Sequence, residues 1–343
     1  MKQYKITSLM LLLFILLSVS IVIATSLGGV TIPLRETISV FISTLPFVDM
    51  DAESTYERIL LYIRLPRVIV AGLVGASLAV CGVVMQSLFR NPMADPGIIG
   101  VSSGGAFGGV IAIYFGLTAI SSLIVPLFGF IGALFTLFIV YFISTSNGKT
   151  SMLTLLLTGV AISSFISACS SLIITYASYG QLQQILYWLM GDLNGRDWGH
   201  VKLLIVPFII CSVIFYLYRK QLDILLLGEE EAQNLGISVN ATRNTLLIIT
   251  SLLTGVCVSL TGAIGFVGLI VPHMIRLIIG PSHRYLIPAS ILGGALFLIW
   301  ADLVARLLIR PAEIQIGIIT AFFGAPFFIY LILRHRKREA EAS

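Results

Sequence analysis

Charge is scarce in this sequence. Asp, Glu, Lys and Arg make up 11% of its 343 residues, where roughly a quarter is usual for a soluble domain. So few polar residues cannot coat a water-facing surface, which excludes a soluble enzyme. Cysteine is equally sparse: Cys81, Cys169, Cys211 and Cys257 each sit inside an apolar run and share no CxxC or Cys/His spacing. A disulfide scaffold and a zinc cluster are therefore excluded, and the four read as small buried apolar residues. The four histidines, His200, His273, His283 and His335, fall near predicted helix ends and read as interfacial or loop residues. There is no HExxH and no facing pair of intramembrane carboxylates, so catalysis, metal binding and a proton relay find no foothold. Gly148-Lys149-Thr150 matches the tail of a phosphate-binding loop, but the loop's first glycine is replaced by Ile143, at the end of an apolar run. The chain is expected to bind no cofactor and no ATP itself.

What remains is apolar: 57% of the residues, with a mean hydropathy of +1.02. One helical crossing takes about 20 apolar residues. Runs separated by Gly, Pro or charge predict ten, at about 6–28, 67–89, 97–116, 119–144, 151–178, 200–218, 245–262, 264–280, 286–308 and 313–334. The first run, Ile6 to Ala24 after Lys2 and Lys5, exceeds the ~7–15 residues of a signal-peptide core and reads as a crossing. The expectation is an all-α polytopic membrane protein, a single transmembrane domain over 1–343.

An even number of crossings puts both termini on one side. With the termini inside, that side holds 13 of the 21 Lys and Arg, including the closing Arg334–Arg338 cluster. The positive-inside rule then predicts cytoplasmic termini. It also accounts for the net charge of +5 without nucleic acid, since the basic residues are scattered over loop ends. Segments 29–66 and 179–199 then face outward, the second containing a short amphipathic surface helix. Segment 219–244 faces the cytoplasm, with Gly228–Gly236 as a short helix between glycines and acid in its first turn.

Other features have two readings each. Asp302 and Arg306 lie one turn apart, so they neutralise one another or serve a site. Ser163, Ser167, Ser170 and Ser171, with Ser164 and Thr175, form a hydroxyl face in crossing five, for close helix packing or for the wall of a polar pathway. Arg90–Gly97 carries two prolines that set a rigid turn. The glycines from Gly100 to Gly109 after it permit close packing. Gly75 and Gly82 recur as Gly255 and Gly262, with Pro92 and Pro272 ten residues further on. An inverted repeat or coincidence would produce this echo.

Taken together, several ordered motifs resemble the FecCD-type permeases of ABC importers, which take up iron-siderophores, haem and vitamin B12. They are Arg64-Leu65-Pro66-Arg67, Met85-Gln86, Arg90-Asn91-Pro92 through Pro96-Gly97, Gly100-Val101-Ser102, Tyr187-Trp188-Leu189-Met190-Gly191, and Leu227-Gly228-Glu229 through Leu235-Gly236. Gly265-Phe266-Val267-Gly268 through Pro272-His273, Ala301-Asp302 through Arg306, and Gly324-Ala325-Pro326-Phe327-Phe328 complete the series. The resemblance implies a type II importer permease fold in a prokaryotic cytoplasmic membrane. A second permease would complete the path, as homodimer or heterodimer. ATP and Mg would bind separate ATPase subunits, and an extracytoplasmic binding protein would deliver the cargo, with iron-siderophore the expected class and haem or cobalamin the alternatives.

By the same resemblance, Gly228, Glu229, Glu230, Glu231, Ala232, Leu235 and Gly236 would couple to the ATPase. Arg64, Arg67 and Arg306 would dock the binding protein. Asn91, Pro92 and Met93, with Thr150 and Ser151, would form the cytoplasmic gate. The serines and the Gln181–Gly191 helix would line the path. An ion-coupled secondary carrier is the competing class; it would work as a lone chain driven by an ion gradient.

Overall fold

The computed structural model describes residues 2–29, 32–43, 54–146 and 149–342. Gly148 and parts of the expected outward segment, 30–31 and 44–53, lie outside them, as do the side chains of His335 and of Arg334–Arg338. The chain is helical almost throughout: α1 (Lys2–Ser26), α2 (Leu34–Ser43), α3 (Ser54–Arg58), α4 (Leu65–Leu88), α5 (Val101–Tyr114), α6 (Ile124–Ser144), α7 (Met152–Tyr176) and α8 (Tyr179–Leu189) come first. They are followed by α9 (Trp198–Leu217), α10 (Arg219–Leu225), α11 (Glu229–Asn234), α12 (Val239–Thr261), α13 (Val267–Ile279), α14 (His283–Leu307) and α15 (Ile316–Ala342). A two-residue hairpin pairs Thr145–Ser146 with Lys149–Thr150. Among the described residues, eight helices are long and apolar enough to cross a membrane.

The second crossing starts earlier than the hydropathy pattern places it. A π-helical turn, Ile59–Arg64, joins α3 to α4 in one continuous helix, because a wider turn relieves the clash that Pro66 would impose on a regular one. In that turn the donor due to the Leu61 carbonyl belongs to Pro66, which has no N–H. The indole N–H of Trp198 donates to this carbonyl instead, at 2.9 Å. Much of 54–66, read as outward loop, is therefore helix.

Crossings three and eight are shorter than expected. The helices α5 and α13 have 14 and 13 residues, about 20 Å each against a hydrocarbon core of about 30 Å. The short 3₁₀ turn Pro96–Ile99 leads into α5 through Gly100 at φ +86°, and the residues before α13 run through Phe266 at φ +69°. Non-helical backbone at such depth is tolerated where protein surrounds it or where it lines a cavity; Gly100, Gly262 and Ile264 are buried, Phe266 is half-buried and Gly265 is exposed.

Packing places α4 at the centre: 83% of its apolar window is buried, against 17% for α7 and 11% for α1. Close approach makes this possible. A Cβ on Gly75 would fall on the Gly294 carbonyl of α14, and one on Gly104 of α5 would meet Thr136 and the Gly132 carbonyl of α6. Such contacts let dispersion hold helices that gain nothing from excluding water. Only half of the glycine echo carries over into packing: Gly82 and Gly262 each face a backbone carbonyl, of Gly268 and Trp188, whereas Gly75 faces the Gly294 carbonyl and Gly255 the side chain of Ala133.

Candidate functional site

Several polar clusters interrupt this apolar bundle. At one end lies the segment between α9 and α12. Gly228 and Gly236 bound α11 at φ +128° and +82°, conformations in which a side chain is strained. Ala232 is fully buried and anchors the helix, while Glu229, Glu230 and Glu231 are exposed on its first turn. Leu227 and Leu235 protrude at 65% and 60% exposure, apolar knobs on an otherwise polar loop. Glu229 accepts from Arg243 of α12 at 2.5 Å and lies 4.0 Å from Arg90.

Arg90 opens the turn after α4 at φ +48°. Asn91 Oδ1 accepts the Met93 N–H at 2.9 Å, Pro92 stiffens the step between them, and the Asp95 carboxylate takes the Gly97 N–H at 2.8 Å. Across the same end, Thr150 is buried and bonded at 2.9 Å to both Thr145 and Asn244 of α12. Ser151 caps α7, accepting from the N–H and the hydroxyl of Thr154.

Nearby, Asp223 Oδ1 meets His283 Nδ1 at 2.6 Å and accepts the His283 N–H at 2.9 Å, while His283 Nε2 lies 2.6 Å from Ser87 Oγ. The arrangement has the outline of a catalytic triad. Ser87, however, is fully buried, its hydroxyl shared between His283 and the Val83 carbonyl 2.8 Å away, so no substrate reaches it. It ties α4, α10 and α14 together. Burial pushes the Asp223 carboxyl up, but the hydrogen bonds from His283 outweigh this and hold it below the ordinary carboxylate range. His283 and His200 stand at helix starts, as their spacing predicts, and are buried there, whereas His273 lies within α13 rather than at an end.

Midway along the bundle, α7 presents its hydroxyl face. Ser167, Ser170 and Ser171 join Ser102 and Ser103 of α5 around an open cavity of about 320 Å³, which Leu189 and Ala263 also line. Ser163 lies outside it, beside Gly100. Ser170 donates to the Ile166 carbonyl and Ser171 to that of Ser167. With their protons committed within the helix, these hydroxyls offer a passing molecule only weak acceptors.

At the opposite end, Arg64 and Arg306 are buried and grip the last carbonyls of α1. Arg64 donates to Thr25 and Ser26, and Arg306 to Ala24 and Leu27, over 2.5–3.1 Å. These are the orphan acceptors at the negative end of a helix dipole. The Asp302–Arg306 pair read from the spacing forms at 3.0 Å. Arg67 shares Asp302 at 2.9 Å and reaches Glu313 and Asn194 at 2.8 Å. It is the most reachable of the three, with 13% of its side chain exposed.

Sequence reasoning missed Arg243, Asn244, Trp198 and the Ser87–His283–Asp223 cluster. Each is an isolated polar residue with no motif of its own, and only the packing shows its partner.

The FecCD transport family model matches residues 15–334. The chain belongs to the FecCD transport family. Among FecCD relatives, the cobalamin import permease BtuC of Halobacterium salinarum is 46% identical over 280 residues, 82% of this chain and 74% of that one. The hemin transport permease HmuU of Yersinia pestis is 41% identical over 286 residues, 82% of this chain and 85% of that one. A solved inward-facing metal-chelate type ABC transporter superposes with a TM-score of 0.83 at 35% identity, over 96% of this chain and 99% of that one. This FecCD chain is thus a multi-pass ABC importer permease, and the type II importer permease fold expected from its motifs is the fold it has.

Proposed function

We propose that the chain is the membrane half of an ATP-driven importer for a bulky metal chelate, with both termini and α11 in the cytoplasm. The observation that carries this reading is α11 itself. Two protruding leucines and an acidic first turn, mounted on a helix pinned by Arg243, form a surface suited to a partner rather than to water. That partner is a cytoplasmic ATPase, which holds the ATP and Mg.

The hydroxyl-lined cavity of α7 supplies one wall of a path that a second permease completes. Weak acceptors suit large cargo, because a tight site in midmembrane would slow release. Affinity then resides in an extracytoplasmic binding protein, whose carboxylate docks on Arg67 in exchange for Glu313. Arg64 and Arg306 support that site from beneath by holding α1 in place. The relatives named for cobalamin and hemin favour a metal-bearing macrocycle over an iron-siderophore.

The test is uptake into proteoliposomes holding the permease and its ATPase, with the binding protein outside. ATP-dependent accumulation of cyanocobalamin or hemin in preference to ferric hydroxamate supports the cargo class. Preference for the hydroxamate returns it to siderophores. Accumulation driven by a proton or sodium gradient without ATP would make the chain a secondary carrier.

A further inference from the structure

The two candidate gate elements reach α11 by separate polar links, and this has a mechanical consequence. From α11, Glu229 touches the 90–97 turn through Arg90, 4.0 Å away. The same carboxylate holds Arg243 on the first turns of α12. The next residue, Asn244, accepts from Thr150 at 2.9 Å, and Thr150 is bonded to Thr145 across the hairpin. One acidic side chain on the coupling segment therefore stands at a fork, with one branch to each gate element.

The chemistry of the fork suits a switch. Glu229 and Arg90 are each about half exposed, with 46% and 48% of the side chain accessible, so their ion pair is weak and exchanges readily. Arg243 is buried, and its Nε has no hydrogen-bond partner among the described residues. A buried guanidinium with an unused donor can take a second acceptor when α11 moves, so a change of register need not strand a charge. The rigid parts lie beyond the fork: Pro92 and the Asn91–Met93 bond stiffen the turn, and the strand pairing stiffens the hairpin.

We infer that Glu229 is a positioning residue that divides the motion of α11 between the two gate elements, through Arg90 to the Asn91–Met93 turn and through Arg243–Asn244 to the Thr150 hairpin. This rests on the reading of α11 as the ATPase contact. It goes beyond that reading by assigning Arg90, Arg243 and Asn244, which the motif comparison left without a role.

The experiment uses the permease–ATPase complex in nanodiscs and needs no cargo. Spin labels are placed at Met93→Cys and Ser146→Cys, and distances between equivalent labels on the paired permeases are read before and after trapping with ATP and vanadate. Only complexes that have trapped nucleotide are compared. In the parent, both label pairs shift. Arg90→Ala abolishes the shift at the turn and keeps it at the hairpin; Asn244→Ala does the reverse; Glu229→Ala abolishes both. The double exchange Glu229→Arg with Arg243→Glu restores the hairpin shift, which a folding defect would not. If all three single variants keep both shifts, or all three lose both, the fork is wrong. If the parent binds no ATPase, or its labels do not move on trapping, the permease reading falls and the fork with it.

Discussion

Arg306 illustrates how much one side chain carries in a protein with few charges. It pairs with Asp302 and closes two carbonyls at the end of α1, while itself almost fully buried. Removing one partner of a buried pair costs about 3–5 kcal/mol, mostly through the charge left behind. Arg306→Ala should therefore lower unfolding stability in detergent by about 3 kcal/mol or more. An unchanged denaturation midpoint would show that the α1 clamp carries no weight. Asp223 makes a pH-dependent prediction. Its folded-state pKa lies below its ordinary value, so its contribution is present at neutral pH and is lost as pH falls through the carboxylate range. Thermal scans from about pH 7 down to about pH 3 should show an acid limb in the parent that Asp223→Asn reduces. Identical limbs would contradict the assignment.

Among the elements, glycine-mediated contacts decide which helices can sit at the centre. A Cβ on Gly75 would come within 2.1 Å of the Gly294 carbonyl oxygen, whereas one on Gly265 would meet nothing within 4 Å. Gly75→Val should abolish the folded, monodisperse protein on size exclusion, and Gly265→Ala should leave it intact. Equal yields would mean that the α4–α14 approach is dispensable. This level also shows how far the sequence could be read. Long apolar runs are strong signals, and among the described residues eight of the ten expected crossings appear as helices long and apolar enough to span. The other two are half-helices, because Gly100 and Phe266 turn the backbone out of helical geometry, and hydropathy cannot see dihedral angles. The early start of the second crossing was hidden for a related reason: Pro66 reads as a helix breaker, and only the π turn and the distant Trp198 show how the helix survives it. The short helix at Gly228–Gly236 was legible because its motif is contiguous; the links from Glu229 to Arg243 and from Asn244 to Thr150 were not, because they are assembled across the fold. Composition could suggest that Asp302 and Arg306 pair one turn apart, but not that Arg67 and Glu313 join them.

For the whole molecule, polar features are distributed by task along an apolar bundle. Two exposed leucines and an acidic turn stand at one end, a hydroxyl-lined cavity along α7, and a buried arginine cluster at the other end. Such a distribution suits an importer whose energy source, path and delivery protein are separate chains meeting one scaffold. The most direct measurement is a mild-detergent pull-down of the tagged chain from its native membranes, with ATPase activity assayed on the eluate, for the parent and for Leu227→Asp with Leu235→Asp. The account predicts a co-eluting P-loop ATPase with the parent and its loss from the double variant, which still reaches the membrane. A chain that elutes alone, hydrolyses nothing and supports gradient-driven uptake would contradict it.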